Sequence, residues 1–174
     1  LMPYLFQCAV EARDKGLPVM RAMLLEFPND PACEYLDRQY MLGDSLLVAP
    51  VFSESGKVRY YLPDGNWTNL QDRSTRSGPG WVEERVGFLQ IPLFVRQNSL
   101  LAVGTVDHKP DYNYPENCSF AWFQPMIGTE AVCIVPDLKG DAAQVIHARF
   151  DGESIEIECA QAAREWDMEI SGLD

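Results

Sequence analysis

The sequence predicts a mainly β protein, with one helix-strand unit in front and two antiparallel β-sandwich domains behind it. Three observations carry this. Helical spacing of apolar residues is confined to the residues before Gly43. Beyond Gly43, short apolar or alternating runs recur between turn clusters, as in sandwich proteins. Twelve glycines and twelve prolines are spread along the 174 residues, which suits many turns and few long helices.

Residues 1–15 read as a helix. Leu1, Tyr4, Leu5, Cys8 and Ala12 fall on one face, Gly16 suits the C-terminal cap, and Pro18 prevents continuation. Val19 to Leu25 is nearly all apolar and reads as a buried strand of an α/β sheet, with Arg21 as its one charge. Glu26 to Pro31 is a loop by composition, and residues 33–42 suit a short helix with Tyr35, Leu36, Tyr40 and Met41 as its apolar contacts. Gly43-Asp44 is a tight turn. Strands are expected at 45–50, 57–62, 66–70, 81–86, 91–96 and 100–103. PDGNW at 63–67 is read as a hairpin, because Asp-Gly accepts left-handed turn geometry, and RSTRSGPG at 73–80 as a loop. The polar, Pro-rich run from Gly104 marks a boundary. Strands at 118–124, 131–135, 144–150, 153–159 and 165–170 follow. SIEIECA alternates as a half-exposed strand should.

A helix feeding a strand is the repeat of a (β/α)8 barrel. The expected domains are therefore 1–44 as the C-terminal end of such a barrel, 45–104 as a proximal β-sandwich, and 105–174 as a distal β domain with little chain left to close its last sheet. The chain opens on LMPYLFQCAVEARDKG rather than on Met or a basic leader, so it is expected to be a piece of a longer polypeptide and not to begin with a signal peptide.

Composition narrows the partners. The formal net charge is -12, which repels nucleic acid and anionic membrane surfaces. No run of apolar residues reaches the length of a membrane-spanning helix. The five cysteines, at 8, 33, 118, 133 and 159, form no C-x-x-C pair, and His108 and His147 stand far apart in sequence, so no metal site is expected. An odd cysteine count with two cysteines in strand-like runs favours a reducing compartment, hence a cytoplasmic location.

The first 104 residues carry a denser signal. Pro3-Tyr4-Leu5 in the helix is followed by Arg21, Glu26, Phe27, Pro28 and Asp30 in the pattern R-x-x-x-x-E-F-P-x-D. Asp37, Gln39, Tyr40, Met41, Leu42, Gly43 and Asp44 then open D-x-Q-[FY]-M-L-G-D-x-L-L-V-A-P-V. This order resembles the barrel end of glycoside hydrolase family 31. YYLPDGNWTNL (60–70) and IPLFVRQNSLLAVG (91–104) resemble strand signatures of that family's proximal C-terminal domain. Residues 105–174 resemble its distal domain more thinly. The family's α-glucosidase branch carries R-P-L-F where this chain has Arg21-Ala22-Met23-Leu24. KPDYNY (109–114) and EAVCIVPD (130–137) look like the α-xylosidase branch.

The resemblance implies a retaining α-glycosidase acting on oligosaccharides, most like an α-xylosidase that releases terminal α-linked xylose. The alternatives are an α-glucosidase of the same family and a non-catalytic carbohydrate-binding or scaffold module. A retaining glycosidase needs two carboxyl groups about 5–5.5 Å apart and no metal or other cofactor. In the family they lie on earlier barrel strands, in motifs such as W-x-D-x-N-E, which this chain lacks. No catalytic, cofactor-binding or metal-binding residue is therefore assigned, and the chain alone is expected to be inactive.

Glu26 and Asp30 are read as organising a loop, and Asp37 and Asp44 as a turn, a cap or a partner for Arg38. Trp67, Trp81, Trp122 and Trp166 are read as packing groups, with stacking on sugar as the alternative. Leu5, Met20, Met23 and Leu25 are expected to lie in a patch open to water. Such a patch favours self-association into a homo-oligomer or pairing at a sheet edge.

Overall fold

The computed structural model describes residues 1–160 and 165–173. Its packing forms two compact units, one of residues 20–97 and one of residues 1–19 with 98–174.

The unit of residues 20–97 is built on one six-stranded sheet, in the order β1-β2-β3-β6-β4-β5. The strands are β1 (Met20–Arg21), β2 (Tyr40–Leu42), β3 (Leu46–Val48), β4 (Lys57–Asn69), β5 (Thr75–Arg85) and β6 (Leu93–Arg96). Every pairing in it is antiparallel. This single sheet replaces the sandwich expected at 45–104. Met23, Cys33, Met41, Leu47, Tyr60, Trp67 and Phe94 are among its buried core.

The expected strand at 19–25 is cut short. β1 holds two residues, and a one-turn helix α2 (Met23–Glu26) follows. The buried Arg21 explains the break. Its Nη1 lies 2.7 Å from the Glu26 carboxylate, whereas five residues of extended chain span about 17 Å. The chain must fold back to satisfy the charge. The expected helix at 33–42 is also absent. Asp30 caps a short 3-10 turn at Pro31–Cys33, accepting from the Ala32 N–H, and the chain then enters the β2-β3 hairpin. Met41 faces inward between two half-buried neighbours, which is the two-residue period of a strand. Gly43, at φ 65°, opens the hairpin turn.

PDGNW is not a hairpin. β4 runs straight through it, and the register against β5 shifts from Leu62↔Gly80 to Gly65↔Gly78. β4 thus carries one extra residue, a β-bulge. Asp-Gly takes its positive φ here, Gly65 at 114°, without reversing the chain. The Pro63 carbonyl turned out by the bulge accepts from the buried Trp67 Nε1 at 2.8 Å. Residues 73–80, expected as a loop, are mostly strand. Residues 75–80 of β5 alternate exposed and half-buried positions with none fully buried and carry no apolar signal, whereas residues 81–85 form the strand expected at 81–86.

The second unit begins with α1 (Met2–Lys15), which Gly16 caps at φ 71° in the left-handed region, as expected. Tyr4 and Cys8 point inward. Two three-stranded sheets share one core. One is β12-β8-β7, made of β7 (Ser99–Gly104), β8 (Cys118–Phe123) and β12 (Met168–Ser171). The other is β11-β10-β9, made of β9 (Ala131–Pro136), β10 (Ala142–Phe150) and β11 (Ile155–Ala160). Leu100, Phe120 and Trp122 from the first sheet meet Cys133, Val135, Ile146 and Ala148 from the second. This is a sandwich, but not a wholly antiparallel one. The chain leaves β11 in one sheet and re-enters the other, where β12 runs parallel to β8. β7 bonds to β8, so residues 99–104 belong to this unit's core rather than to the sheet before it.

Met23, expected to be open to water, is fully buried. Met20, Leu24 and Leu25 are exposed, and Leu5 is half-buried.

Candidate functional site

In the unit of residues 20–97, the acidic residues that the sequence singled out divide by what their oxygens already hold. Glu26 takes Arg21 on one oxygen, and Arg96 lies 3.9 Å from the other. The Arg96 guanidinium also sits 4.8 Å over the Phe27 ring. Asp30 caps the 3-10 turn with one oxygen and accepts the Tyr61 hydroxyl at 2.9 Å with the other. Burial, and then the bond to Asp30, push the Tyr61 hydroxyl up to about 12. Burial followed by the Asp30 charge does the same to the Cys33 thiol, also about 12. Neither group is a nucleophile at neutral pH. Glu26 and Asp30 are thus both engaged in holding their own loop and the strand beside it. Asp44 accepts from the Ser45 hydroxyl at 2.7 Å.

Asp37 and Arg38 differ. Among the described residues neither makes a hydrogen bond or an ion pair, and both are exposed at the mouth of a cavity of about 310 Å³. Three aromatic side chains share that cavity: Tyr35 at 84% exposure, Phe52 at 71% and Trp81 at 51%. β4 and β5 supply its wall. Tyr61 and Trp81 are cross-strand partners, their ring centroids 5.6 Å apart, and the Arg59 guanidinium stands 4.4 Å over the Trp81 ring. Gln39 forms the floor and is fully committed: its amide donates to the Tyr61 carbonyl at 2.8 Å and accepts the Tyr61 N–H at 2.7 Å.

The four tryptophans therefore do different things. Trp67 and Trp122 are fully buried, and Trp166 packs edge-on against Phe120 at 5.3 Å. Trp81 lines the cavity. The strands expected at 57–62 and 81–86 hold Arg59, Tyr61 and Trp81, but only the pairing of β4 with β5, Tyr61 opposite Trp81, brings them to one face. A second network, Tyr60 to Glu84 to Arg76, joins β4 and β5 at 2.7 Å for the tyrosine bond. Burial, then that bond, raise the Tyr60 hydroxyl.

Residues 16–101 match the Glycosyl hydrolase family 31 C-terminal domain. Residues 113–174 match the C-terminal domain of alpha-xylosidase YicI. An alpha-xylosidase of Lactiplantibacillus pentosus is 33% identical over 159 residues, covering 89% of this chain and 21% of that protein. An alpha-xylosidase of Emericella nidulans is 38% identical over 121 residues, 65% of this chain and 16% of that protein. The structure superposes on a family 31 dextranase of Flavobacterium johnsoniae, solved with glucose, at a TM-score of 0.79 and 26% identity, over 97% of this chain and 23% of that one. The chain thus spans about a fifth of the length of these relatives. It belongs to glycosyl hydrolase family 31, a family of glycoside hydrolases, and corresponds to the C-terminal β region of its members.

Proposed function

We propose that this chain is the C-terminal portion of a retaining α-xylosidase, which releases terminal α-linked xylose from oligosaccharides. The observation that carries the choice is the match of residues 113–174 to an α-xylosidase C-terminal domain, in a chain whose L. pentosus relative covers 89% of it. In this reading the nucleophile and acid/base stand on strands of a (β/α)8 barrel that precedes this chain, and residues 20–44, expected to end that barrel, instead belong to the antiparallel sheet of the C-terminal domain. The bonds of Glu26 to Arg21 and of Asp30 to its own turn and to Tyr61 support it, because both carboxylates are engaged in holding their loop. The chain then serves as a buttress for the catalytic barrel. A barrel-strand end must hold its geometry within about 0.5 Å for a site to work. The Arg21–Glu26 pair and the Asp30 cap stiffen the loop between β1 and β2, at the start of the domain that would support the barrel.

The test is the whole polypeptide, with its upstream barrel, assayed on p-nitrophenyl α-xyloside and α-glucoside side by side. The expected result is a higher kcat/KM on the xyloside. A preference for the glucoside would reassign it to the α-glucosidase branch. The 174-residue chain alone should turn over neither substrate, since the covalent route needs both carboxylates.

A further inference from the structure

We propose that the cavity lined by Tyr35, Phe52 and Trp81 is a non-catalytic binding site for an anionic sugar ring, a pyranose bearing a carboxylate or a phosphate. Its volume, about 310 Å³, lies at the lower end of the roughly 300–1,000 Å³ found for small-molecule sites. Three aromatic faces on one cavity are costly to leave wet, and scattered surface aromatics do not converge in this way. Tyr35 and Phe52 make no ring contact among the described residues, so their faces are free. Trp81 is held in place by Tyr61 and Arg59 and keeps half its surface open. A flat, apolar ring face matches a pyranose.

Charge selects the anionic kind. The chain carries -12 overall, yet this cavity is lined by Arg38, Lys57 and Arg59 against the single carboxylate of Asp37. Arg38 and Lys57 make no ion pair or hydrogen bond among the described residues, and Arg59 is engaged only with the Trp81 ring. Uncommitted cations beside stacked aromatics suit a ligand with both a ring face and a negative group. The floor is preorganised, because both ends of the Gln39 amide are locked to Tyr61. Asp37 is left to accept from sugar hydroxyls. The choice of sugar over another anionic ring rests on the family to which the chain belongs.

The test is a titration of the 174-residue chain, followed by tryptophan fluorescence and by amide shifts of residues 35–39 and 52–59. The probes are glucuronic acid, glucose 6-phosphate, neutral glucose and a mononucleotide. Saturable binding of one of the acidic sugars, at least tenfold tighter than glucose, supports the proposal, and which of the two binds identifies the carboxylate or the phosphate as the recognised group. Arg38→Ala should weaken it about tenfold, the worth of one charge-assisted hydrogen bond. Tyr35→Ala should weaken it without altering the fold, since its side chain is exposed. Equal affinity for glucose, tighter binding of the nucleotide, no saturation by any probe, or shifts that persist in both variants would overturn it. A failure here leaves the α-xylosidase assay untouched, because that assay uses neutral substrates at the barrel.

Discussion

Gln39 substitutes for a missing strand, and its removal should be felt across the sheet. β4 pairs with β5 along nearly its whole length but with β6 only at Trp67–Asn69. In an antiparallel pair, alternate residues point their N–H and C=O away from the partner strand. Tyr61 points both at Gln39, whose side chain is only 5% exposed. Gln39→Ala orphans one donor and one acceptor. Each such group costs about 1–3 kcal/mol when buried, and water entering from the adjacent cavity recovers part, so the expected loss is about 2–4 kcal/mol. That is a large fraction of the 5–15 kcal/mol typical of a domain.

Gln39→Glu separates hydrogen bonding from volume. A carboxylate accepts the Tyr61 N–H but presents oxygen to the Tyr61 carbonyl, while a protonated carboxyl can donate to it. The folded state therefore binds the proton more tightly than the unfolded chain, whose Glu titrates near 4.3. A raised folded pKa means the favourable contribution is complete below about pH 4 and is lost as pH rises through the folded value. Urea midpoints at several pH values, with exchange of the Tyr61 amide as the local readout, measure both effects. A Gln39→Ala protein within 0.5 kcal/mol of the parent, or a Gln39→Glu protein with no added pH dependence, would refute the reasoning.

Three further outcomes are expected. Gly78→Ala places a Cβ into the Pro63 carbonyl at the bulge and should cost about 1–3 kcal/mol in urea denaturation, while Gly80→Ala, whose added Cβ meets nothing within 4 Å, should be near neutral; equal effects would contradict the bulge geometry. The Ser154 and Glu153 amides and the Ser154 hydroxyl pull the Asp151 carboxyl down to about 2, so a carboxyl NMR titration should find its midpoint well below the ordinary 3.9. The folded value is depressed, so its support for the 151–154 turn is complete above about pH 4 and is lost as pH falls through about 2; a midpoint near 3.9 would count against those bonds. Met20, Leu24 and Leu25 lie exposed on or just after the edge strand β1, so sedimentation should show concentration-dependent association that a Leu24→Lys, Leu25→Lys double variant abolishes; a monomer throughout the concentration range would exclude it.

How much of the fold the sequence disclosed depends on what each segment buries. α1 was legible because its apolar spacing, Gly16 and Pro18 agree, and nothing tertiary opposes them. Strands β7 to β11 were legible because each keeps inward side chains against a shared core. The misses share one cause, a local signal overruled by a distant partner. Arg21 forces a turn into an apolar run because Glu26 must reach it. Asp64-Gly65 has hairpin chemistry, but β5 holds β4 straight and turns that chemistry into a bulge. β5 is an edge strand guarded against further pairing by Arg76, Glu83, Glu84 and Arg85; its second half was legible at 81–86, but its first half, without an apolar residue between Thr75 and Ser77, looks like a loop in any apolar count.

The same contrast separates residues that can act from those that only hold. Motif membership did not distinguish Glu26, Asp30 and Asp37, since all three stand in the family pattern. Their partners do. Glu26 is spent on two arginines, and Asp30 on a cap and a tyrosine hydroxyl. Among the described residues Asp37 and its neighbour Arg38 have no bonded partner, and they line a cavity with three unburied rings. Uncommitted charge next to uncovered aromatic surface has no stabilising role in the free fold, because an exposed charge contributes almost nothing and an exposed ring is unfavourable. Such residues are available for a ligand, the role proposed above for the cavity they line. Glu26 instead holds the buried Arg21 at 2.7 Å, and breaking a buried pair of that kind typically costs about 3–5 kcal/mol.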